Sequence, residues 1–157
     1  MRGRYGVRIS GAHKKSWKKR EKSVIESYPP IHNAMYTLDT NAIIYYLDGE
    51  EKVVSLLKGV FERRETVFIS TVTELELFAF PQLSHEEAEH IERMLQTISI
   101  LPLDSQIARI AANLRKSYQM KTLDSAIAAT AIFTGTTLLT RNVRDFKKVP
   151  ALRIQKV

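Results

Sequence analysis

The sequence predicts an α/β fold in which a central parallel sheet of about five strands is flanked by helices. From residue 35 onward, short apolar runs rich in β-branched residues alternate with longer segments that have helical periodicity. This alternation is typical of strand–helix–strand units, whose crossovers are right-handed. A chain of 157 residues is also long enough to bury one sizeable core. We therefore expect a single α/β domain.

Five short segments have the composition of buried strands. They comprise residues 36–38, 67–70, 98–103, 137–140 and 152–155. The intervening segments are long enough for the crossover helices that parallel strands require. We therefore place helices between successive strands.

Two local signals mark helix ends. Ser84 and Glu87 have the spacing of a capping box and precede an apolar stripe that includes Ile91 and Met94. An alanine-rich helical segment stops at Gly135, a residue that is favoured at helix C-termini. These signals predict one helix that begins after Ser84 and another that ends at Gly135.

The positive charge is concentrated in residues 1–34. That segment holds nine of the 24 Lys and Arg but two of the 17 Asp and Glu, so residues 35–157 carry no net charge. It has no sustained periodicity, and we interpret it as a flexible basic arm preceding the domain. With Tyr5 and Trp17 the arm has the composition to bind nucleic acid. The alternative, which we favour, is a solvated tail or a translation start at Met35.

Several classes of protein are excluded by composition. No apolar run approaches the roughly 20 residues that span a bilayer, and the basic N-terminus lacks the apolar region of a signal peptide. The chain has no cysteine, which fits a reducing cytoplasm and leaves oxygen or imidazole as metal ligands. We expect a soluble cytoplasmic protein without a membrane segment.

Acidic residues follow the predicted strands. The carboxyl ends of parallel strands meet at one edge of a sheet, where ligands bind. The acids expected at this edge are Asp39, Glu74, Asp104, Asp124 and Asp145.

Helix capping is the simplest explanation of most of these acids. Asp39 is placed to cap a helix that begins at Thr40, Thr71 and Glu74 have capping-box spacing, and Asp104 and Asp124 also stand at helix starts. Capping does not explain Asp145, because no helix clearly follows it. Nor does it explain five acids on one edge without a matching cation beside each.

A divalent cation accounts for that concentration of acids. Crowded carboxylates repel one another unless a cation neutralises them. Oxygen ligands favour Mg²⁺ or Mn²⁺. The histidines do not compete for this role, because His85 and His90 lack the spacing of a zinc site.

Four motifs resemble those of the PIN-domain nucleases, in particular the VapC-like toxins of toxin–antitoxin pairs. They are LDTNAII at 38–44, STVTELEL at 70–77, DSAIAATA at 124–131 and LTRNVRDF at 139–146. The resemblance covers residues 35–157 and implies a three-layer PIN-like nuclease domain. After Glu74 the chain lacks a glycine that many relatives have, which puts the local backbone shape in doubt.

The resemblance implies a role for several residues. The metal ligands and catalytic acids would be Asp39, Glu74, Asp124 and Asp145. The residues that support them by hydrogen bonds would be Thr40, Asn41, Thr140 and Asn142. Asp104 would be a helix cap. The resemblance implies hydrolysis of RNA phosphodiester bonds with Mg²⁺ or Mn²⁺. Lys121, Arg141 and Arg144 lie near the same edge and are expected either to hold RNA phosphates or to be merely solvated.

The resemblance also suggests partners. VapC-like proteins form homodimers and are silenced by a small antitoxin that covers the acidic pocket. The apolar residues 78–80 form either an interface or part of the core.

Other functions stay open at this point. The basic arm suits a ribosomal-RNA processing nuclease, and a catalytically inactive RNA-binding PIN domain would keep the same fold. An aspartate-nucleophile phosphotransferase is disfavoured, because it needs a second acid where Asn41 stands.

Overall fold

The structure, a computed structural model, describes residues 35–157. The predicted basic arm at residues 1–34 lies outside the described residues. Five strands are present, namely β1 (Met35–Leu38), β2 (Thr66–Ser70), β3 (Ser99–Leu101), β4 (Thr137–Thr140) and β5 (Arg153–Lys156). The helices of this part of the chain are α1 (Thr40–Leu47), α2 (Glu51–Glu62), α3 (Thr71–Phe78), α4 (His85–Leu95), α5 (Ser105–Tyr118), α6 (Thr122–Thr134) and α7 (Val143–Phe146).

All five strands are parallel and form one sheet in the order β3-β2-β1-β4-β5. The chain builds outward from β1 to β3 and then returns to place β4 on the other side of β1. A crevice forms outside the carboxyl ends of the two strands where the order reverses. Here those strands are β1 and β4, and the Asp39 N–H donates to the Leu139 carbonyl (3.0 Å) across this point.

Helices cover both faces of the sheet. One core cluster joins residues of α1, α2 and α4, such as Ile43 and Leu57, to Leu139 of β4. The other joins α5 and α6, including Ile107 and Ile127, to Leu138 of the same strand. Adjacent strand residues point to opposite faces, so the sheet separates the two clusters. This confirms the predicted α/β architecture with helices on both sides.

The structure confirms the two predicted helix-end signals. Ser84 caps α4 in a complete capping box with Glu87. Gly135 follows α6 with a left-handed φ of 65°, a conformation that glycine adopts without steric cost.

The predicted capping box of Thr71 and Glu74 is wrong. The N-cap of α3 is Ser70, whose hydroxyl accepts the Val72 N–H at 3.2 Å. The Thr71 hydroxyl instead accepts the Leu103 N–H at 3.1 Å. Two adjacent hydroxyl residues compete for the cap, and the earlier one takes it.

Two further features concern the surface of the domain. Phe78 and Phe80 are 39% and 55% exposed, so residues 78–80 do not belong to the core.

Within residues 35–157, every helix is too short or too polar to cross a membrane.

Candidate active site

Asp39 lies at the end of the central strand and is almost fully buried, with 4% of its surface exposed. It is the N-cap of α1, and its Oδ1 accepts the Thr40 N–H at 2.8 Å. Its Oδ2 accepts the Thr140 hydroxyl at 2.6 Å from the end of β4. The capping interpretation of Asp39 is therefore confirmed, but the second oxygen is held by the neighbouring strand, which capping does not require.

Burial raises the pKa of Asp39 from 3.8 to about 6. Hydrogen bonds from Thr140 and Thr40 oppose this shift, while the charges of Asp124 and Glu76 add to it. Three carboxylates from α3, α6 and the end of β1 thus act on one another. An added cation would relieve this repulsion.

Asp124 belongs to the first turn of α6, which faces the same edge. It does not cap that helix, because α6 begins after Lys121. Partial burial raises the pKa of Asp124, and the charges of Asp145 and Glu76 add to this. The cations Lys121 and Lys148 oppose the rise. The charge of Asp124 therefore interacts with the charges of Asp145 and Glu76.

Asp145 lies within the short helix α7, although the sequence shows no clear helix there. A hydrogen bond with the Asn142 side chain is the largest cause that lowers the pKa of Asp145. Lys148 Nζ is 3.5 Å and Arg144 Nε 3.7 Å from its Oδ1. The pKa of Asp145 is thus lowered, whereas those of Asp39 and Asp124 are raised.

Glu76, which is not among the residues predicted from the sequence, lies on α3 and faces the acid cluster formed by Asp39, Asp124 and Asp145. Its Oε2 accepts the Thr40 hydroxyl at 2.5 Å, and its charge raises the pKa of both Asp39 and Asp124. Glu74 is two residues earlier, or about 200° away around the helix, so the two side chains point in different directions. The structure therefore brings Glu76 to the cluster, and the selection of Glu74 stays a prediction.

A sequence signal for Glu76 exists but is weak. At about 100° per residue, Glu76 falls between Val72 and Thr73 on the buried face of α3. A charged residue inside a buried face marks a functional position more often than one outside it. The exposed Leu75 and Phe78 obscure which face is buried.

The supporting residues lie around these acids. Thr140 is fully buried, donates to Asp39 and accepts the Asn142 N–H at 2.9 Å. Thr40 joins Asp39 to Glu76 through its N–H and hydroxyl. Asn41 is half-buried in the first turn of α1, and its supporting role stays a prediction.

The predicted RNA-binding cations differ in their surroundings. Lys121 stands before α6 near Asp124, and the Arg144 side chain is 85% exposed. Arg141 is paired with Glu50 through two hydrogen bonds of 2.5 and 2.7 Å. Lys148, which is not among the cations predicted from the sequence, also lies at this edge, 3.5 Å from Asp145. The RNA-binding roles of these residues stay predictions.

The arrangement has a match among known domains. A family model for the PIN domain matches residues 36–152, well over half of the chain. The chain belongs to the PIN domain family. The resemblance seen in the four sequence motifs is thereby confirmed.

The relatives of this PIN domain are named as ribonucleases. Ribonuclease VapC19 of Mycobacterium tuberculosis is 30% identical over 124 residues, which cover 76% of this chain and 98% of the relative. Among solved structures, VapBC-1 from nontypeable Haemophilus influenzae has a TM-score of 0.65 at 27% identity, covering 78% of this chain and 97% of its own. VapBC2 from Rickettsia felis, bound to a DNA fragment from its promoter, has a TM-score of 0.69, with 78% and 98% coverage. At 21% identity this last likeness shows the shared fold.

The acids of this PIN domain suit a hard divalent cation in their chemistry. They offer oxygen ligands, and their mutual repulsion is what a cation would remove. Among residues 35–157, however, no three Asp, Glu or His side chains are close enough together in their present positions to hold one ion. The donor set therefore fits Mg²⁺ or Mn²⁺, while the side-chain positions seen are not those of a closed metal site.

Proposed function

We propose that this protein is a metal-dependent endoribonuclease that acts in the cytoplasm as the toxin of a VapBC-type toxin–antitoxin pair. The observation that carries the proposal is the coupling of Asp39, Glu76 and Asp124 at the point where the sheet order reverses. Membership of the PIN family and similarity to proteins named as VapC ribonucleases support RNA as the substrate and hydrolysis as the reaction.

Mg²⁺ or Mn²⁺, when bound, would supply the positive charge that acidifies a water and stabilises the leaving oxygen of a phosphodiester. Asp39 would be its main ligand, since this carboxylate is the most buried acid and has both oxygens fixed by donors. Asp124, Asp145 and Glu76 would complete the binding set from α6, α7 and α3. Glu74, the residue the family resemblance first suggested, is replaced in this proposal by Glu76.

The chain's own side chains prepare this site. Thr140 and the Thr40 N–H hold the two oxygens of Asp39 in place, so little reorganisation is needed when a ligand binds. Asn142 supports Asp145 in the same manner. The pKa of Asp145 is lowered, so its carboxylate stays ionised, which suits it to bind a cation or to orient a water by accepting its hydrogen bond.

RNA would approach along the cationic part of this edge. Lys121, Arg144 and Lys148 surround the acids and would hold flanking phosphates, which offsets the repulsion between an acidic pocket and RNA. The basic segment 1–34 would be a separate arm, outside a nuclease domain formed by residues 35–157.

Partner proteins follow from the same proposal. The antitoxin would cover the acidic pocket, where a basic side chain finds three carboxylates. A second copy of the chain would pack on the apolar surface of α3 and its neighbours, which exposes Leu75, Phe78, Phe80 and Leu103.

RNA cleavage with a matched pair of variants tests the proposal. The wild-type protein should cleave RNA in Mn²⁺, and EDTA or Asp39→Asn should abolish cleavage while circular dichroism shows an intact fold. Asp104→Asn is the control, because Asp104 caps α5 through the Gln106 and Ile107 N–H groups and Asn caps helices equally well. Full activity in a well-folded Asp39→Asn protein would refute the proposal.

A further inference from the structure

Arg141 occupies a position between two residues that hold the acids, yet its own side chain points to another part of the domain. It follows Thr140, which donates to Asp39, and precedes Asn142, which supports Asp145. The short loop at Arg141 and Asn142 therefore sets the distance between the two aspartates.

The guanidinium of Arg141 is held on two sides. Its Nη1 and Nη2 donate to the two oxygens of Glu50 at 2.5 and 2.7 Å, and its Cζ lies 4.0 Å from the centre of the Tyr45 ring. About a third of each charged side chain is exposed. A bidentate, partly shielded pair stacked on an aromatic ring is the geometry in which ion pairs hold most firmly.

Glu50 is committed to this contact. It is the N-cap residue of α2, and its carboxylate makes no capping hydrogen bond. Both oxygens go to Arg141 instead. Gly49, with a left-handed φ of 75°, turns the chain after α1 and brings Glu50 to this place.

We propose that Glu50 and Tyr45 anchor Arg141 and thereby fix the loop that joins β4 to α7, so that Arg141 is a positioning residue of the acid cluster and not an RNA contact. The inference rests on the proposed nuclease function. It assigns a role to Glu50, which lies 91 positions before Arg141 in the sequence.

Kinetics and hydrogen exchange of the full chain test the proposal together. The variants are Glu50→Gln, Arg141→Met, the double variant and Arg141→Lys. Glu65→Gln is the matched control, since it removes a similar pair with Arg63 at the amino end of β2.

We expect Glu50→Gln and Arg141→Met each to lower kcat about tenfold and to change KM less than about twofold, since they disturb the placement of reacting groups. The kcat of the double variant should be no lower than that of the less active single variant, because both changes break the same pair. Arg141→Lys should recover only part of the activity, because lysine cannot form the two-bonded pair. Backbone amides of residues 141–147 should exchange faster in Glu50→Gln, whereas Glu65→Gln should change neither activity nor exchange there.

Two results would overturn the inference while leaving the nuclease proposal standing. One is an Arg141→Met protein with a raised KM and a weaker salt dependence of RNA binding, beside a normal Glu50→Gln protein, which identifies a phosphate contact. The other is unchanged exchange at residues 141–147 in Glu50→Gln. A wild-type protein that cleaves no RNA would refute the nuclease proposal, and the exchange comparison alone would then decide whether the pair orders the loop.

Discussion

Two clusters of buried polar side chains in the domain differ in how their hydrogen-bonding groups are paired. Near the amino end of β4, the hydroxyls of Thr37, Thr134 and Thr136 bond to one another at 2.7 and 3.0 Å. At the carboxyl end of the same sheet, Asp39 is equally buried but faces Asp124 and Glu76, which are also acids. The first cluster contains a donor for each acceptor, and the second has an excess of acceptors.

The difference separates a structural polar cluster from a functional one. Hydroxyls both donate and accept, so the threonine cluster satisfies itself and is electrically neutral. Ionised carboxylates accept only, so the acid cluster lowers the stability of the isolated fold until a cation or a proton arrives. An unfavourable arrangement that the fold nevertheless holds in place indicates a ligand site.

The largest expected effect separates Glu76 from Glu74. Glu76→Gln removes a carboxylate that acts on Asp39 and Asp124, and we expect RNA cleavage to fall by about 100-fold, as losses of catalytic acids commonly do. Glu74→Gln, on another face of α3, should stay within about threefold of the wild type in the same assay.

The two glutamates serve as each other's control, since they differ by two positions on one helix. Thermal melts should show both variants folded. A reversed order of activities would restore Glu74 to the site and remove Glu76 from it.

A second prediction compares the two clusters through threonine-to-valine changes. Thr140→Val deletes the hydroxyl that donates to Asp39 and accepts the Asn142 N–H, so kcat should fall about tenfold. The pKa of Asp39 should also rise further, which moves the acidic limb of the pH–rate profile to higher pH.

Thr136→Val is the counterpart in the threonine cluster. It should destabilise the fold by about 1–2 kcal/mol, since it leaves a buried hydroxyl partner unpaired, without changing kcat. Urea titrations and steady-state rates on both variants make the comparison. Equal effects of the two changes on kcat would mean that the hydroxyl beside Asp39 has no role in catalysis beyond its contribution to the fold.

Much of this contrast was accessible from the sequence, because it depends on local order. Asp39 directly follows an apolar strand, and the bounds of β4 agree with the predicted residues 137–140. The strand predicted at residues 98–103 is shorter in the structure, at Ser99–Leu101. Ile98 belongs to the turn after α4, and Pro102 has no N–H for a strand ladder.

What the sequence did not reveal depends on contacts between distant residues. Glu50 and Arg141 are 91 positions apart, and nothing in either segment indicates the pair. Glu76 was missed for a different reason, because apolar residues occupy both the buried and the exposed side of α3. Position along a strand is a local property, whereas the direction of a side chain depends on what packs around its helix.

A third prediction uses pH to measure the instability of the acid cluster. Because the folded-state pKa of Asp39 is raised from 3.8 to about 6, its stabilising contribution is complete below about pH 4 and is lost as pH rises through about 6. In EDTA, Asp39→Asn should therefore be more stable than the wild type at pH 7 by roughly 1–3 kcal/mol. The two proteins should converge near pH 4.

Urea unfolding at several pH values measures this difference, which includes the change that loss of the Asp39 charge makes at Asp124. Added Mn²⁺ should raise the stability of the wild type and not that of Asp39→Asn. A constant difference between pH 4 and 7 would show that the pKa of Asp39 is not raised in the folded protein and would contradict this prediction.

The smallest expected effect concerns the cations around the acid cluster. Arg144 is 85% exposed beside Asp145, and Arg144→Ala should weaken RNA binding by about threefold and reduce its salt dependence by about one ion, as for a single phosphate contact. Arg93→Ala is the control, because Arg93 is an exposed cation near the end of α4, away from the carboxyl edge of the sheet. Both variants remove one positive charge, so net charge alone predicts equal losses. Binding of labelled RNA to catalytically inactive protein across a salt series separates the two explanations, and equal slopes for the two variants would leave Arg144 without a phosphate contact.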